Sequence, residues 1–383
     1  MSAHVFYVPS TNLMGRGCLQ EVGPQIEELG LKKALVVTDT FLNESGIVGK
    51  VKKVLDDRQI DYAVYAGVKP NPTIANVYRG VEVYKENGCD FIVSVGGGSP
   101  QDTAKAIGLY VTNGGDIKDY EGVGKTSKKS VPIVAINTTA GTSSEFTINY
   151  VITDEERHVK MVMVDKNCLV TISVNDHELM LYNTAAITAA TGIDALTHAI
   201  EAIVTPGAYA VTDATALAAV EKIFTYLPRA VKDGYDIEAR EQMVYVMFLA
   251  GMSFNNAGLG FVHAMAHQLG GVYDLPHGVC NAMLLPIVER ENAKRDPHKF
   301  PAIAKAIGIS IEGKTDSQCA EEVIAAIIEL CQTVEIPARL SDLGVEEVDL
   351  EKLASFALLD ACAPGNPFQP TKEEVISMFK EIL

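Results

Sequence analysis

Asp194 and His198 stand four residues apart in "TGIDALTHAIEA". On a helix that spacing puts a carboxylate and an imidazole on one face, within reach of one ion. The stretch "GFVHAMAHQLGG" repeats the spacing with His263 and His267, and "YDLPHGVC" adds His277 between Pro276 and Gly278, where a loop is expected. The surroundings are rich in Ala and Leu. An imidazole buried there needs a partner, because an unpaired polar group in a core is costly. A lone core histidine usually finds that partner in the backbone. Four of them with a carboxylate at helical spacing point instead to a shared metal. One carboxylate and three neutral imidazoles leave a divalent ion with a net charge of about +1, still a useful Lewis acid. Spacing does not decide which histidine stays outside, since both His263 and His267 can face inward.

A second chemistry is written in "VSVGGGSPQDTAKAI". Gly96, Gly97 and Gly98 follow an apolar strand, Ser99 is suited to cap a helix, and Pro100 fits a first turn. Such a turn offers unpaired N–H groups and a positive dipole end to a phosphate. Ligands of open α/β sheets bind beyond the carboxyl ends of the strands, which is where this turn falls. The plain alternative is a tight turn with no ligand, and the pattern is not GxGxxG. Upstream, Asp39 ends "ALVVTD". It reads as a solvated or capping aspartate, or as a partner for ribose hydroxyls that favours NAD over NADP. "NTTAGTSSE" (Asn137–Glu145) packs five hydroxyls between two apolar runs, more than a turn requires. Two decoys fall away. "DYEGVGKT" has Asp119 where a P-loop needs its first glycine, and "HELML" has Leu181 where a zincin needs its second histidine.

These residues need scaffolds. Up to about residue 180, apolar runs alternate with helical stretches: "KALVVTD", Val48–Gln59, "DYAVYAGV", "IANVYRGVEVYKENG", "DFIVSVGGGS", "PQDTAKAIGLYVTNGG" and "VPIVAINTT". That order predicts a Rossmann-like α/β domain, doubly wound on a mainly parallel sheet. From residue 181 to 383 the chain turns Ala-rich and helix-periodic in "TAAITAATGIDALTHAIEAIV", "AVTDATALAAVEKIFTYLPRAV", "AREQMVYVMFLAGMSFNNAG" and "AEEVIAAIIELCQTV", which predicts an all-α domain.

At 383 residues, 48% hydrophobic and 21% charged, the chain can bury two sizeable cores. Its net charge of -17 argues against nucleic acid and against anionic membranes. No apolar run approaches the roughly 20 residues that span a bilayer, and "MSAHVFYVPSTN" lacks the regions of a signal peptide. Seven scattered cysteines without a CxxC pair fit free thiols in a reducing cytoplasm.

At "PNPT", "GGGSPQDTAKAI", "INTTAGTSSE", "TAATGIDALTHAIEA", "LAGMSFNNAGLGFVHAMAHQLGG" and "PHGVCNA" the sequence resembles the iron-containing (group III) alcohol dehydrogenases, along essentially its whole length. The resemblance implies an N-terminal domain that binds NAD(H) and a helical domain that carries the metal. It implies Asp194, His198, His263 and His277 as metal ligands and His267 close to the nicotinamide, where it is a candidate for proton relay. Asp39, Asn71, Gly97, Gly98, Ser99, Thr138, Thr139, Thr142 and Lys160 match cofactor-contacting positions, so the hydroxyls of "NTTAGTSSE" are expected to face the dinucleotide. The metal expected is Fe2+, with Zn2+ or another divalent ion as the alternative, because a mixed oxygen and nitrogen site does not itself select iron. The substrate expected is a short alcohol or aldehyde, with Asn149, Phe254 and Cys362 as neighbours whose polarity hints at a second polar or anionic group. A homo-oligomer, a dimer or larger, is expected too.

The chain departs from the family at Gln101, where a histidine is usual, at Ile148-Asn149-Tyr150, at Tyr182-Asn183, and in "ACAPGNPF". Rival readings are a glycerol or diol dehydrogenase of the same superfamily, a metallohydrolase whose glycine turn binds phosphate, and a catalytically silent relative.

Overall fold

The structure is a computed structural model that describes residues 3–157 and 159–383. The first two residues of the amino-terminal stretch read above lie outside the described residues. The chain divides into two compact units, one made of residues 1–139 and 143–182, the other of residues 140–142 and 183–383.

The first unit is built on a parallel sheet. Its strands are β1 (Thr11–Met14), β2 (Lys33–Val37), β3 (Asp61–Tyr65), β4 (Phe91–Gly96), β6 (Ile133–Asn137) and β9 (Ile172–Asn175), in spatial order β1-β9-β6-β4-β2-β3. The central strands β4, β6 and β9 are buried at every position, as a sheet covered on both faces requires, whereas β1 and β3 are partly exposed edges. Successive residues feed opposite cores. Leu35, Val37, Ile92, Ile133 and Ala135 join one core with α4 (Ile74–Glu86) and α5 (Gly98–Asn113). Ala34, Val36, Phe91, Val93, Val134 and Ile136 join the other with α1 (Val22–Glu28) and α3 (Ile47–Asp56). This is the doubly wound arrangement that the alternating runs predict. The chain moves from β2 outward to β3 and then back across to β4, so the order reverses between β2 and β4.

Not every apolar run joins that sheet. "FTINYVI" contributes β7 (Asn149–Asp154), which pairs antiparallel with β8 (Val159–Val164); β5 (Gly122–Val123) pairs parallel with β8 to complete a separate three-stranded sheet. Its Tyr150, Ile152, Met161 and Met163 fill the core beneath α4 and α5. The short helix α2 (Thr40–Glu44) begins at Asp39.

The second unit is helical among the described residues. It contains α6 (Ala185–Val204), α7 (Ala210–Lys232), α8 (Ile237–Ala257), α9 (Phe261–Tyr273), α10 (His277–Arg295), α11 (Phe300–Ala306), α12 (Asp316–Thr333), α13 (Leu350–Ala357) and α14 (Lys372–Lys380). Helices α6, α7 and α8 pack on one another, and α10 packs on α6, α9 and α12. Helix α6 is long and apolar enough to cross a membrane, contrary to the reading of the sequence, but most of it is buried inside this unit. That is how a central core helix satisfies its apolar surface on all sides.

His277 corrects the sequence reading. It does not lie in a loop but opens α10, with Pro276 just before it as the cap residue. Gly278 reflects close packing instead of a turn. A Cβ there would come within 2.4 Å of the Ala190 carbonyl on α6.

Candidate functional site

The helical unit gathers four polar side chains from three helices. Asp194 and His198 project from one face of α6, His263 comes from α9, and His277 comes from the first turn of α10. Nε2 of His198 and of His263 each lie 3.9 Å from Asp194 Oδ1, and Nε2 of His277 lies 3.7 Å from the same oxygen. Ligands about 2.1 Å from one tetrahedral ion stand about 3.4 Å from each other, so these separations are longer than a closed coordination sphere by about 0.3 to 0.5 Å. The ligand atoms of Asp194, His263 and His277 all fall within 4.8 Å of one another, whereas His198 stands outside that tighter group and approaches it through Asp194.

Electrostatics favours the same use. Burial lowers the pKa of His198 to about 4 and of His263 to about 3, against the opposing pull of Asp194, so both rings are neutral with a lone pair to donate. The Asn281 amide nitrogen sits between three of the four candidate ligands, 2.7 Å from Asp194 Oδ1, 3.1 Å from His263 Nε2 and 3.2 Å from His277 Nε2. A single N–H2 group has two hydrogens for three acceptors. The Asn281 side-chain oxygen is buried and unpartnered. Three polar atoms converging on one point, from two imidazoles and one carboxylate, fit a divalent cation.

Around this set lie further residues, and the sequence reading missed Glu201 and Asp360 among them. Glu201 Oε2 meets His263 Nδ1 at 2.5 Å, and Asp360 Oδ2 meets His267 Nδ1 at 3.0 Å. In each pair Nδ1–H donates to the carboxylate and Nε2 is left as the acceptor. Asp360 also accepts from the Gln268 amide at 3.2 Å and from the Cys362 backbone N–H at 2.9 Å. Burial pushes the Cys362 thiol well above its ordinary value, so it is a neutral thiol. Phe254 stacks on the His198 ring at 4.1 Å, and the His267 ring stacks on His277 at 5.5 Å. Spacing held a signal for two of these residues. Glu201 follows Asp194 by seven residues on the same face of α6, and Asn281 follows His277 by four on α10. Asp360 carried no such mark.

In the α/β unit, the residues matched to cofactor positions cluster by topology. Asp39, Asn71, the turn Gly97–Ser99 and Thr138–Thr139 follow β2, β3, β4 and β6, four neighbouring strands, at their carboxyl ends. Asp39 and Gly97 flank the reversal between β2 and β4, where such sheets bind ligands. Asp39 Oδ1 accepts from Leu42 N–H at 2.8 Å, so the carboxylate caps α2 with one oxygen. Ser99 is not a cap. Gly97 holds that position, because Gln101 N–H already closes the first helical bond to the Gly97 carbonyl at 3.3 Å. Gln101 is buried, accepts from Ser94 Oγ, and donates to the carbonyls of Gly96 and Ile136 at 3.1 Å each. It therefore ties β4, β6 and the start of α5 together around the turn.

Lys160 stands apart on β8, opposite Thr153 in the small sheet, and Asn149 opens β7 with its carbonyl accepting from Lys105. "NTTAGTSSE" splits. Thr138 and Thr139 follow β6 in the α/β unit, whereas Ala140–Thr142, and so Thr142, belong to the helical unit, where a Cβ on Gly141 would meet the Thr191 carbonyl at 2.5 Å. Not all its hydroxyls are free for a ligand, because Ser144 Oγ donates to Asp102 at 2.5 Å and accepts from buried Lys105 at 3.1 Å.

Residues 9–177 match the family of iron-containing alcohol dehydrogenases, and residues 188–383 match the C-terminal part of the Fe-containing alcohol dehydrogenase family. The chain is 49% identical over 383 residues to alcohol dehydrogenase 4 of Schizosaccharomyces pombe, covering 100% of this chain and 90% of that protein. It is 45% identical over 378 residues to the NAD-dependent methanol dehydrogenase of Bacillus methanolicus, covering 99% of each. A crystal structure of a 1,3-propanediol oxidoreductase superposes with a TM-score of 0.97 at 46% identity over 100% of both chains.

Proposed function

The chain belongs to the iron-containing alcohol dehydrogenase family and is an oxidoreductase acting on CH–OH donors; from that premise we propose that it interconverts a short-chain alcohol and its aldehyde with NAD(H) and one divalent metal ion. The observation that carries this reading is the convergence of three imidazole nitrogens on one oxygen of Asp194, at 3.7 to 3.9 Å. Fe2+ is the expected ion, with Zn2+ the alternative. In the direction of reduction the balance is aldehyde, NADH and a proton giving alcohol and NAD+.

When bound, the cation supplies Lewis acidity toward a carbonyl or hydroxyl oxygen, and the dinucleotide gives or takes the hydride. Asp194, His198, His263 and His277 hold the ion and bring its net charge to about +1. The N–H groups at the start of α5 bind pyrophosphate, and the oxygen of Asp39 not used as a cap receives ribose hydroxyls. Asn71, Thr138, Thr139, Thr142 and Lys160 complete the cofactor contacts. His267 relays the proton. Asp360 fixes its Nδ1, which leaves Nε2 as the exchanging nitrogen. Phe254 and the neutral Cys362 thiol adjoin the carbon chain, and Asn149 supplies a polar contact. The free cysteines suit a reducing cytoplasm, and the protein is proposed to act there as a homo-oligomer.

The test is anaerobic NADH oxidation over a series of short aldehydes, using metal-free protein reloaded with Fe2+ or Zn2+. Turnover that appears only with metal and NADH supports the proposal. A chain whose reloaded form neither binds NADH nor oxidises it with any short aldehyde refutes it. In that case metal-dependent hydrolysis becomes the better reading.

A further inference from the structure

We infer that Glu201 is a positioning residue for the metal: one buried carboxylate both caps the helix that carries His263 and holds that ring so that Nε2 faces the ion. The inference rests on the metal-binding reading above.

Helix α9 begins after Gly260 with no capping side chain of its own. Its first N–H groups are satisfied from distant parts of the chain. Phe261 N–H donates to Asn366 Oδ1 at 3.2 Å, and Val262 N–H donates to Glu201 Oε1 at 2.8 Å. The other oxygen of Glu201 accepts from His263 Nδ1. Three consequences follow from one side chain. The carboxylate sits at the positive end of the helix dipole, which stabilises its charge. It fixes where α9 starts, and so where His263 lies along its axis. It also sets the tautomer and raises the basicity of the ring, as carboxylates behind metal-bound histidines do.

The carboxylate is itself held. Glu201 is 1% exposed and comes from α6, the same helix that supplies Asp194 and His198, so it locks the ligand of α9 to the two ligands of α6. Asn366 is anchored in turn, donating to Asn292 Oδ1 at 2.9 Å, and Asn292 donates to Glu289 Oε2 at 3.2 Å. The two caps of α9 therefore differ in one respect: both serve backbone N–H groups, but only Glu201 touches a ligand ring.

That difference is the basis of the test. Metal-free full-length protein is titrated with Co2+ against a chromophoric chelator, and the visible d–d spectrum is recorded. In Glu201→Gln the amide has one oxygen for two donors, so Val262 or His263 loses its acceptor. The expected result is a Co2+ affinity weaker by about 10- to 100-fold, with displaced d–d bands. Asn366→Ala removes a cap but leaves His263 untouched, and is expected to bind Co2+ within a few-fold of wild type. Glu201→Asp, should the Gln variant fail to fold, keeps the charge but shortens the reach and should also weaken binding. The inference is overturned if Glu201→Gln or its Asp substitute binds Co2+ like wild type, or if Asn366→Ala loses as much affinity as Glu201→Gln. A wild-type chain that binds no Co2+ refutes the metal reading itself, and this inference with it. Tight wild-type binding with an unaffected Glu201 variant refutes this inference alone.

Discussion

Replacing Gln101 by Leu tests the cradle at the start of α5. The side chain is nearly preserved in volume, but three hydrogen bonds are lost: to the carbonyls of Gly96 and Ile136 at 3.1 Å each, and from Ser94 Oγ. A buried hydrogen bond contributes about 1 kcal/mol net, and orphaned partners cost more. The Gly96 carbonyl keeps a second donor, Thr138 N–H at 3.2 Å, which softens its loss. The sum is roughly 2–3 kcal/mol for the α/β unit. For a unit of this size each kcal/mol lowers Tm by about 2–4 °C, so a drop of roughly 5–10 °C is expected. Freed from Gln101, the turn Gly97–Ser99 no longer holds its N–H groups fixed, and NADH should bind about 10-fold more weakly, a loss of about 1.4 kcal/mol. The assays are thermal melting with and without NADH, and titration of NADH fluorescence. Gln101→His restores the residue usual in the family; its two ring nitrogens can serve at most two of the three partners, so it should fall between wild type and Leu. If the Leu variant melts and binds NADH like wild type, the amide does not organise the turn and the reasoning fails.

Gly278→Ala should disturb the metal centre without changing a ligand, since its Cβ would meet the Ala190 backbone at 2.4 Å and push the first turn of α10, with His277, off α6; the expectation is about 1–3 kcal/mol of lost stability and reduced metal content by elemental analysis. His267→Ala should retain metal while kcat falls about 100-fold or more, as loss of a proton-transfer group does; unchanged turnover would remove His267 from the relay. Glu289 is raised from 4.5 to about 8, first by burial and then by the charge of Glu201. Between those values the folded chain holds a proton that the unfolded chain has released, so this group's contribution to stability is present at low pH and is lost as pH rises toward 8. Glu289→Gln should therefore flatten the decline in urea-unfolding stability between pH 5 and 8, and parallel declines would contradict the assignment.

What the sequence revealed was local. The run "DFIVSV", the glycines after it and the helix "PQDTAKAI" are contiguous, so strand, turn and helix were all readable, and the i, i+4 pairs on α6 and α9 exposed ligand candidates for the same reason. What escaped depended on distant packing. Residues 261–273 start where they do because Asn366, 105 positions away, and Glu201, 61 positions away, accept their first N–H groups. The pairing of Asp360 with His267 spans 93 residues. "FTINYVI" has the composition of a core strand, and only pairing with Val159–Val164 sends it to the smaller sheet. Pro276 and Gly278 on either side of His277 suggested a loop, when the missing side chain of Gly278 serves a helix crossing.

The three residues Ala140–Thr142 bear on any attempt to produce the helical unit by itself. They lie outside the continuous run 183–383 yet belong to that unit, where Gly141 fits closely against Thr191 and its carbonyl lies beside His198. A fragment cut at Tyr182 would lack this short insert, leaving an unfilled notch on α6 next to the His198 imidazole. Supplying the tripeptide segment through an engineered linker, instead of trimming at the apparent boundary, would keep that contact with Thr191 in a separately produced helical unit.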